Sequence, residues 1–202
     1  MADLPRRLPF LALSGLDAAA DPSSVIDRWN ETFSHYTSDG AHMTAREQAG
    51  SLRAVVGESE LGPLALDLRS HGPHALVGGT TGAGKSEFLQ SWILSLAATY
   101  SPQRVNFLFV DYKGGAAFRP IASLPHVVGL VTDLGPAEAR RALVSLRAEV
   151  RRRERIVAHG GVTDVTEMPG PDAPPALLVV VDEFATLAAE QPALLDGLMD
   201  VA

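Results

Sequence analysis

Gly79-Thr80-Thr81-Gly82-Ala83-Gly84-Lys85-Ser86 decides how this chain of 202 residues is read. The stretch fits the pattern G-x-x-x-x-G-K-[ST] at every constrained position. The apolar run Ala75-Leu76-Val77 leads into it, and a helical pattern leaves it. In that context the pattern reads as a phosphate-binding loop. Glycine lets the backbone wrap closely round an anion with its N–H groups turned inward. Lys85 is expected to reach the β- and γ-phosphates, serving catalysis as well as binding, and Ser86 to hold Mg²⁺. The start of the following helix adds a dipole that favours negative charge.

Working outward, the periodicity predicts an α/β fold. Residues 74–78 read as the first strand of the core, and residues 87–100 as a helix with Phe88, Leu89, Trp92, Ile93 and Leu96 on its buried side. Residues 105–110 are almost continuously apolar, as in a strand covered on both faces of a parallel sheet. A strand over 126–131 follows, then a long helix from Gly135-Pro136 to about residue 159, stopped by Gly160-Gly161. Residues 176–181 read as the last strand and 192–201 as the last helix. Strands alternating with helices indicate a mostly parallel sheet.

Ahead of this core, residues 1–50 read as a lead-in. Its helix, over about residues 22–35, is capped by Asp21 with Pro22 at its first position. Val25, Ile26, Trp29 and Phe33 form its apolar stripe, with Trp29 a packing anchor, and residues 35–43 are a loop. Residues 52–56 and 64–68 predict two strands of a hairpin, joined by a turn over 57–63.

The second chemical signal is Val181-Asp182-Glu183, where an apolar strand runs into two carboxylates. Ligands of open parallel sheets bind at the C-terminal strand edge, so these acids are expected to face the phosphate loop. Asp182 is a candidate Mg²⁺ ligand, directly or through water, and Glu183 a candidate general base for the attacking water. The pair argues for hydrolysis rather than binding alone. The guanine-reading pattern Asn-Lys-x-Asp is absent, so ATP is the expected nucleotide.

Two further strand ends stand out. Asp111-Tyr112-Lys113-Gly114-Gly115 closes the 105–110 strand, which makes Asp111 and Lys113 accessory candidates. Lys113 can contact nucleotide, link subunits or merely begin a loop. Asp133 is a helix cap or a catalytic group. Arg151, Arg152, Arg153 and Arg155, interleaved with Glu149 and Glu154, predict a solvated, ion-paired helical face, with a substrate-facing or intersubunit role as the alternative. The histidines show no metal-ligand spacing.

Composition sets bounds on all this. With 46% hydrophobic and 20% charged residues the chain is globular, and the length suits one domain over residues 51–202. The net charge of −7 gives no global attraction to nucleic acid or anionic lipid. There is no cysteine, hence no disulfide and no thiolate metal site. Arg6-Arg7, the apolar 8–16 run and Ala18-Ala19-Ala20 imitate a signal peptide, but Pro9, Asp3 and Asp17 argue against one.

Taken together these motifs resemble the FtsK/SpoIIIE family of motor ATPases. The resemblance is carried by Gly72-Pro73-His74, the loop from Gly79 to Ser86, Asp111-Tyr112-Lys113-Gly114-Gly115-Ala116-Ala117-Phe118, Leu124-Pro125-His126, Val131-Thr132-Asp133-Leu134 and Val181-Asp182-Glu183-Phe184-Ala185. Asp-Tyr-Lys-Gly-Gly and Asp-Glu-Phe-Ala are similar to the EssC/EccC branch of type VII secretion, whereas the DNA-pumping branch typically has Asp-Pro-Lys. The resemblance implies a RecA-like P-loop fold of the ASCE type and ATP with Mg²⁺ as cofactors. It also implies catalysis by Lys85, Ser86, Asp182 and Glu183, and self-association into a ring, a hexamer being expected, or into stacked modules. Secreted proteins are the implied cargo, with the parent protein anchored at the inner face of the cell membrane through regions outside this chain. Double-stranded DNA as cargo, and a weakly active regulatory nucleotide-binding module, are the alternatives.

One departure carries its own expectation. In the family a sensor strand lies between the phosphate-loop strand and the Asp-Glu strand, and it follows the point where this sequence stops. The sheet is therefore expected to be incomplete, with unpaired edges on two strands. The chain is then a fragment that binds nucleotide poorly or folds marginally.

Overall fold

The computed structural model describes residues 8–16, 21–32, 51–112, 114, 116–132, 135–168 and 172–199. Outside the described residues lie Arg6-Arg7 and Ala18-Ala19-Ala20, Phe33 with the end of the predicted N-terminal helix, the 35–43 loop, Lys113, Gly115, Asp133, Leu134 and Val201. The chain folds as two compact units, Met1–Val105 and Asn106–Ala202.

In the first unit, α1 (Phe10–Ser14) stops at Gly15, which takes the left-handed conformation at φ 64°. Arg28 Nη1 donates to the Ser14 carbonyl at 2.7 Å, placing a guanidinium where a helix end is electronegative. α2 (Ser23–Glu31) begins one residue later than expected, with Pro22 at its N-cap and Asp21 Oδ1 accepting from the Ser23 N–H at 3.1 Å. Trp29 is half-buried and makes a polar contact. Its Nε1 donates to the Ala97 carbonyl at 3.0 Å, and Thr32 Oγ1 donates to that of Thr99 at 2.7 Å. Both carbonyls belong to the last turn of α3 (Lys85–Thr99), where backbone acceptors have no intrahelical donor.

β1 (Arg53–Ser59) and β2 (Gly62–Asp67) form an antiparallel hairpin with a bulge between Val55 and Gly57. The turn is tighter than predicted, because the ladder continues to Ser59 opposite Gly62 and leaves only Glu60-Leu61 at the tip. Leu52 and Ala54 are buried, and α3 packs against β1. On α3, Trp92, Ile93 and Leu96 are buried as expected, while Phe88 and Leu89 are half-buried.

The predicted strand at residues 74–78 is not formed. These residues carry no ladder, and Leu76 is 82% exposed. An apolar run becomes a strand only where a neighbour completes its hydrogen bonds. Among the described residues none pairs with this segment.

The second unit is built on a three-stranded parallel sheet in the order β4-β3-β5, with β3 at Val105–Asp111, β4 at Val127–Thr132 and β5 at Ala176–Asp182. These strands agree with the expected ones to within a residue. β4 runs parallel to β3, with Asp111 opposite Thr132. Phe107 and Phe109 are fully buried on one face of β3, and Phe109 stacks on Phe118 with ring centroids 4.6 Å apart. Val110, on the alternate face, joins Ala139, Leu187 and Leu194 in a second cluster. Burial of each large apolar side chain in such a cluster stabilises by roughly 1.5–3 kcal/mol.

Three helices supply that cluster. α4 (Pro136–Gly160) starts after Gly135 and stops at Gly161, at φ 67°, as the glycine pair predicted. α5 (Phe184–Glu190) was not anticipated. α6 (Pro192–Met199) lies against α4 through Gly197, where an added Cβ would stand 2.7 Å from Leu143 Cδ1. The architecture is an α/β sheet flanked by helices, with β5 lacking a partner strand on its outer edge among the described residues.

Candidate functional site

In the first unit the phosphate-loop residues form the turn that opens α3. Gly82 and Gly84 stand at φ 77° and 86°, left-handed conformations that a side chain disfavours. Gly79 is needed for space instead, since a Cβ there would meet Ala83 Cβ at 3.2 Å and Lys85 Cγ at 3.4 Å. The Ala83 N–H donates to the Thr80 carbonyl at 3.1 Å and tightens the loop. Thr80, Thr81, Gly82 and Ala83 are exposed, while Gly84, Lys85 and Ser86 are half-buried. Lys85 is the first residue of α3 and Ser86 the second. Lys85 Nζ donates to the carbonyls of Gly79 at 3.1 Å and Thr80 at 3.3 Å. The ammonium is thereby tied to the first carbonyls of its own loop.

In the second unit β5 ends on Asp182, and α5 begins two residues on, with Glu183 alone between them. Glu183 sits at φ 54°, ψ 39°, the one non-glycine with positive φ among the described residues. That conformation costs a side-chain-bearing residue about 1–2 kcal/mol. It allows a strand to become a helix with no intervening loop. The Glu183 N–H donates to Asp182 Oδ1 at 2.9 Å, and Thr186 Oγ1 lies 3.4 Å from Glu183 Oε2. Asp182 is half-buried and Glu183 exposed. The structure therefore brings this pair together at the C-terminal end of a parallel strand.

Asp111, at the equivalent end of β3, is only 2% exposed. Its Oδ2 accepts from the Ala117 N–H at 3.1 Å, so it braces the loop that follows. Sequence reasoning had no means to single out the next residue. Tyr112 Oη donates to Glu190 Oε2 at 2.6 Å, and the two are separated by 78 positions. This bond raises the Tyr112 pKa above its usual value.

The arginine-rich stretch of α4 is ion-paired in part, through Glu149 with Arg152 and Arg153. Glu149 accepts from Arg152 at 2.7 Å and from Arg153 at 2.8 Å. The Arg152 hydrogen bond, aided by Arg153 and opposed by burial, lowers the Glu149 pKa to about 2. Arg153 Nη1 also donates to the Pro175 carbonyl at 2.6 Å, which ties α4 to the residues entering β5.

These groups fit a nucleotide with Mg²⁺ by their chemistry. Taken unit by unit, an ammonium at a glycine-rich helix start suits phosphate, and a carboxylate at a strand end suits a hard cation. No cluster of three or more His, Cys, Asp or Glu side chains suited to a metal occurs among the described residues. That is compatible with Mg²⁺, which usually takes one or two carboxylates plus phosphate oxygens. No described helix is long and apolar enough to cross a membrane.

Comparison with known proteins agrees with this chemistry. The FtsK/SpoIIIE family model matches residues 41–172. The chain is 37% identical over 208 aligned residues to the type VII secretion system protein EssC of Staphylococcus aureus, covering 98% of this chain and 13% of that protein. It is 38% identical over 157 residues to the ESX secretion system protein YukB of Bacillus subtilis, covering 72% of this chain and 10% of YukB. Among solved structures, the cytoplasmic domain of the Thermomonospora curvata type VII secretion ATPase EccC superposes with a TM-score of 0.76 at 29% identity. That match covers 98% of this chain and 23% of the EccC chain. The chain thus spans a small part of the length of its relatives. With most of its residues inside the family match, and type VII secretion proteins among its relatives, this chain belongs to the FtsK/SpoIIIE family.

Proposed function

We propose that this chain is an ATPase module of a motor that drives protein substrates through a type VII-like secretion system. The observation that carries the proposal is Glu183, a carboxylate held in a strained backbone conformation at the end of a core strand. Strain of this kind persists where the surrounding structure enforces it, and it concentrates at functional sites. The 37% identity to EssC across nearly the whole chain supplies the biological setting.

Each residue has a role that follows from its chemistry. The backbone of Gly79, Thr80, Thr81, Gly82, Ala83 and Gly84 donates to phosphate oxygens, and the α3 dipole favours their charge. Lys85 leaves its loop carbonyls for the β- and γ-phosphates. Ser86 Oγ and the Asp182 carboxylate are the groups that would hold Mg²⁺, with Asp111 bracing an accessory loop. When bound, Mg²⁺ neutralises charge on the phosphates. Glu183 orients water and accepts its proton. Self-association into a ring or into stacked modules, cytoplasmic action, and membrane attachment through other parts of the protein complete the proposal.

Glu183→Gln in the full-length protein tests it. ATP binding should persist, while hydrolysis falls by about 10²–10⁴-fold, the usual worth of a general base. Undiminished turnover would remove Glu183 from that role.

A further inference from the structure

α5 is only seven residues long, too short to be stable by itself, so its orientation depends on what holds it. Its middle is pinned by Leu187, which is fully buried against Val110, Ala139 and Leu194. Its first turn follows directly on Glu183, whose carbonyl accepts from the N–H groups of Thr186 at 2.9 Å and Leu187 at 3.0 Å. Its last residue, Glu190, receives the Tyr112 hydroxyl at 2.6 Å. Just beyond that end, the Gln191 N–H donates to the Leu187 carbonyl at 2.8 Å and the Gln191 carbonyl accepts from the N–H groups of Leu194 and Leu195, which ties α5 to α6, and the Tyr112 bond adds a side-chain anchor at the same end. Tyr112 is itself fixed, since it follows buried Asp111, whose carboxylate holds the Ala117 N–H across the loop.

We propose that Tyr112 is a positioning residue for Glu183. Its hydrogen bond to Glu190 anchors the far end of α5 and so sets the angle at which the near end presents the Glu183 carboxylate. The inference rests on Glu183 acting as the base. The bond is short and ends on a carboxylate, features of a strong hydrogen bond. Both partners are half-buried or exposed, so its net worth to folding is small. Its value lies in geometry, because a displacement of about 1 Å at a reacting group can cost on the order of 10²-fold in rate. Glu190 holds the Tyr112 pKa above its ordinary value, so the phenol keeps the proton it donates throughout the neutral range.

The test compares steady-state ATP hydrolysis, binding of a fluorescent ATP analogue and thermal melting for variants of the full-length protein. Tyr112→Phe and Glu190→Ala should each lower kcat by about 3–10-fold, leaving KM, nucleotide affinity and Tm unchanged. Glu190→Gln keeps an acceptor oxygen and should retain the wild-type kcat. The double variant Tyr112→Phe/Glu190→Ala should be no slower than either single one, because the two residues act as a unit. An unchanged kcat in Tyr112→Phe, beside an inactive Glu183→Gln, would overturn this inference and leave the base assignment standing. Full turnover in Glu183→Gln would overturn both. Additive losses in the double variant, or losses that appear in affinity or Tm, would reduce the pair to an ordinary structural contact.

Discussion

Lys85 Nζ donates to the Gly79 carbonyl oxygen at 3.1 Å, so the lysine that heads α3 also closes the loop before it. The same ammonium, turned outward, is the strongest donor available to a phosphate at this helix start. Charge-assisted hydrogen bonds of this kind contribute about 1.5–3 kcal/mol. Lys85→Ala should therefore weaken ATP binding by roughly 10–150-fold, with the melting temperature little altered. Titration with a fluorescent ATP analogue checks it, and wild-type affinity in the variant would remove Lys85 from the binding site.

Glu183 stands at φ 54°, and glycine adopts that conformation freely. Relief of the strain is worth about 1–2 kcal/mol, offset by the greater flexibility of glycine in the unfolded chain, about 0.5–1 kcal/mol. Glu183→Gly should thus be slightly more stable than the wild type and yet fail to hydrolyse ATP. Paired melting and turnover measurements decide the matter. A variant that is destabilised and still active would show that the conformation has no bearing on function.

Glu149 predicts a pH dependence. Its pKa is lowered from an ordinary 4.5 to about 2 by Arg152 and Arg153. A group depressed in the folded state contributes stability that is fully present above its unfolded pKa and lost as pH falls through the folded one. The side chain is 28% exposed and its partner Arg152 51%, so screening reduces the contribution to roughly 1 kcal/mol or less. Glu149→Gln should lower Tm at pH 7, and the difference should shrink steadily below pH 4.5. A Tm difference independent of pH from 7 to 3 would show that the ion pair contributes nothing.

The contrast between what was legible in the sequence and what was not follows interaction range. The glycine-rich turn around residues 82 and 84 and the stop of α4 at Gly161 are set by neighbours in sequence and were anticipated, whereas α3 starts at Lys85, two residues before the expected helix. The meeting of Asp182 and Glu183 at a strand end was legible for the same reason. That residues 74–78 form no ladder at all was not, although one unpaired edge was expected there, because an apolar run shows that a strand is possible and not whether a partner exists. The hairpin turn was read too long, since Gly57 and Pro63 look like turn residues and yet lie inside the ladder. α5 is too short for periodicity to show, and the Tyr112–Glu190 bond spans 78 positions. Asp111 was picked out by its place at a strand end, but only its burial shows that it braces the loop.

The central claim is an ATP-driven motor module with protein as its cargo, and cargo-stimulated hydrolysis tests it most directly. The rate of Mg²⁺-dependent ATP hydrolysis by the full-length protein would be measured alone, with the C-terminal signal peptide of a secreted partner, and with double-stranded DNA. The account predicts stimulation by the peptide and none by DNA, with the stimulated rate abolished by Glu183→Gln. Stimulation by DNA that fades as salt is raised, with no response to peptide, would contradict it and make the chain part of a DNA translocase.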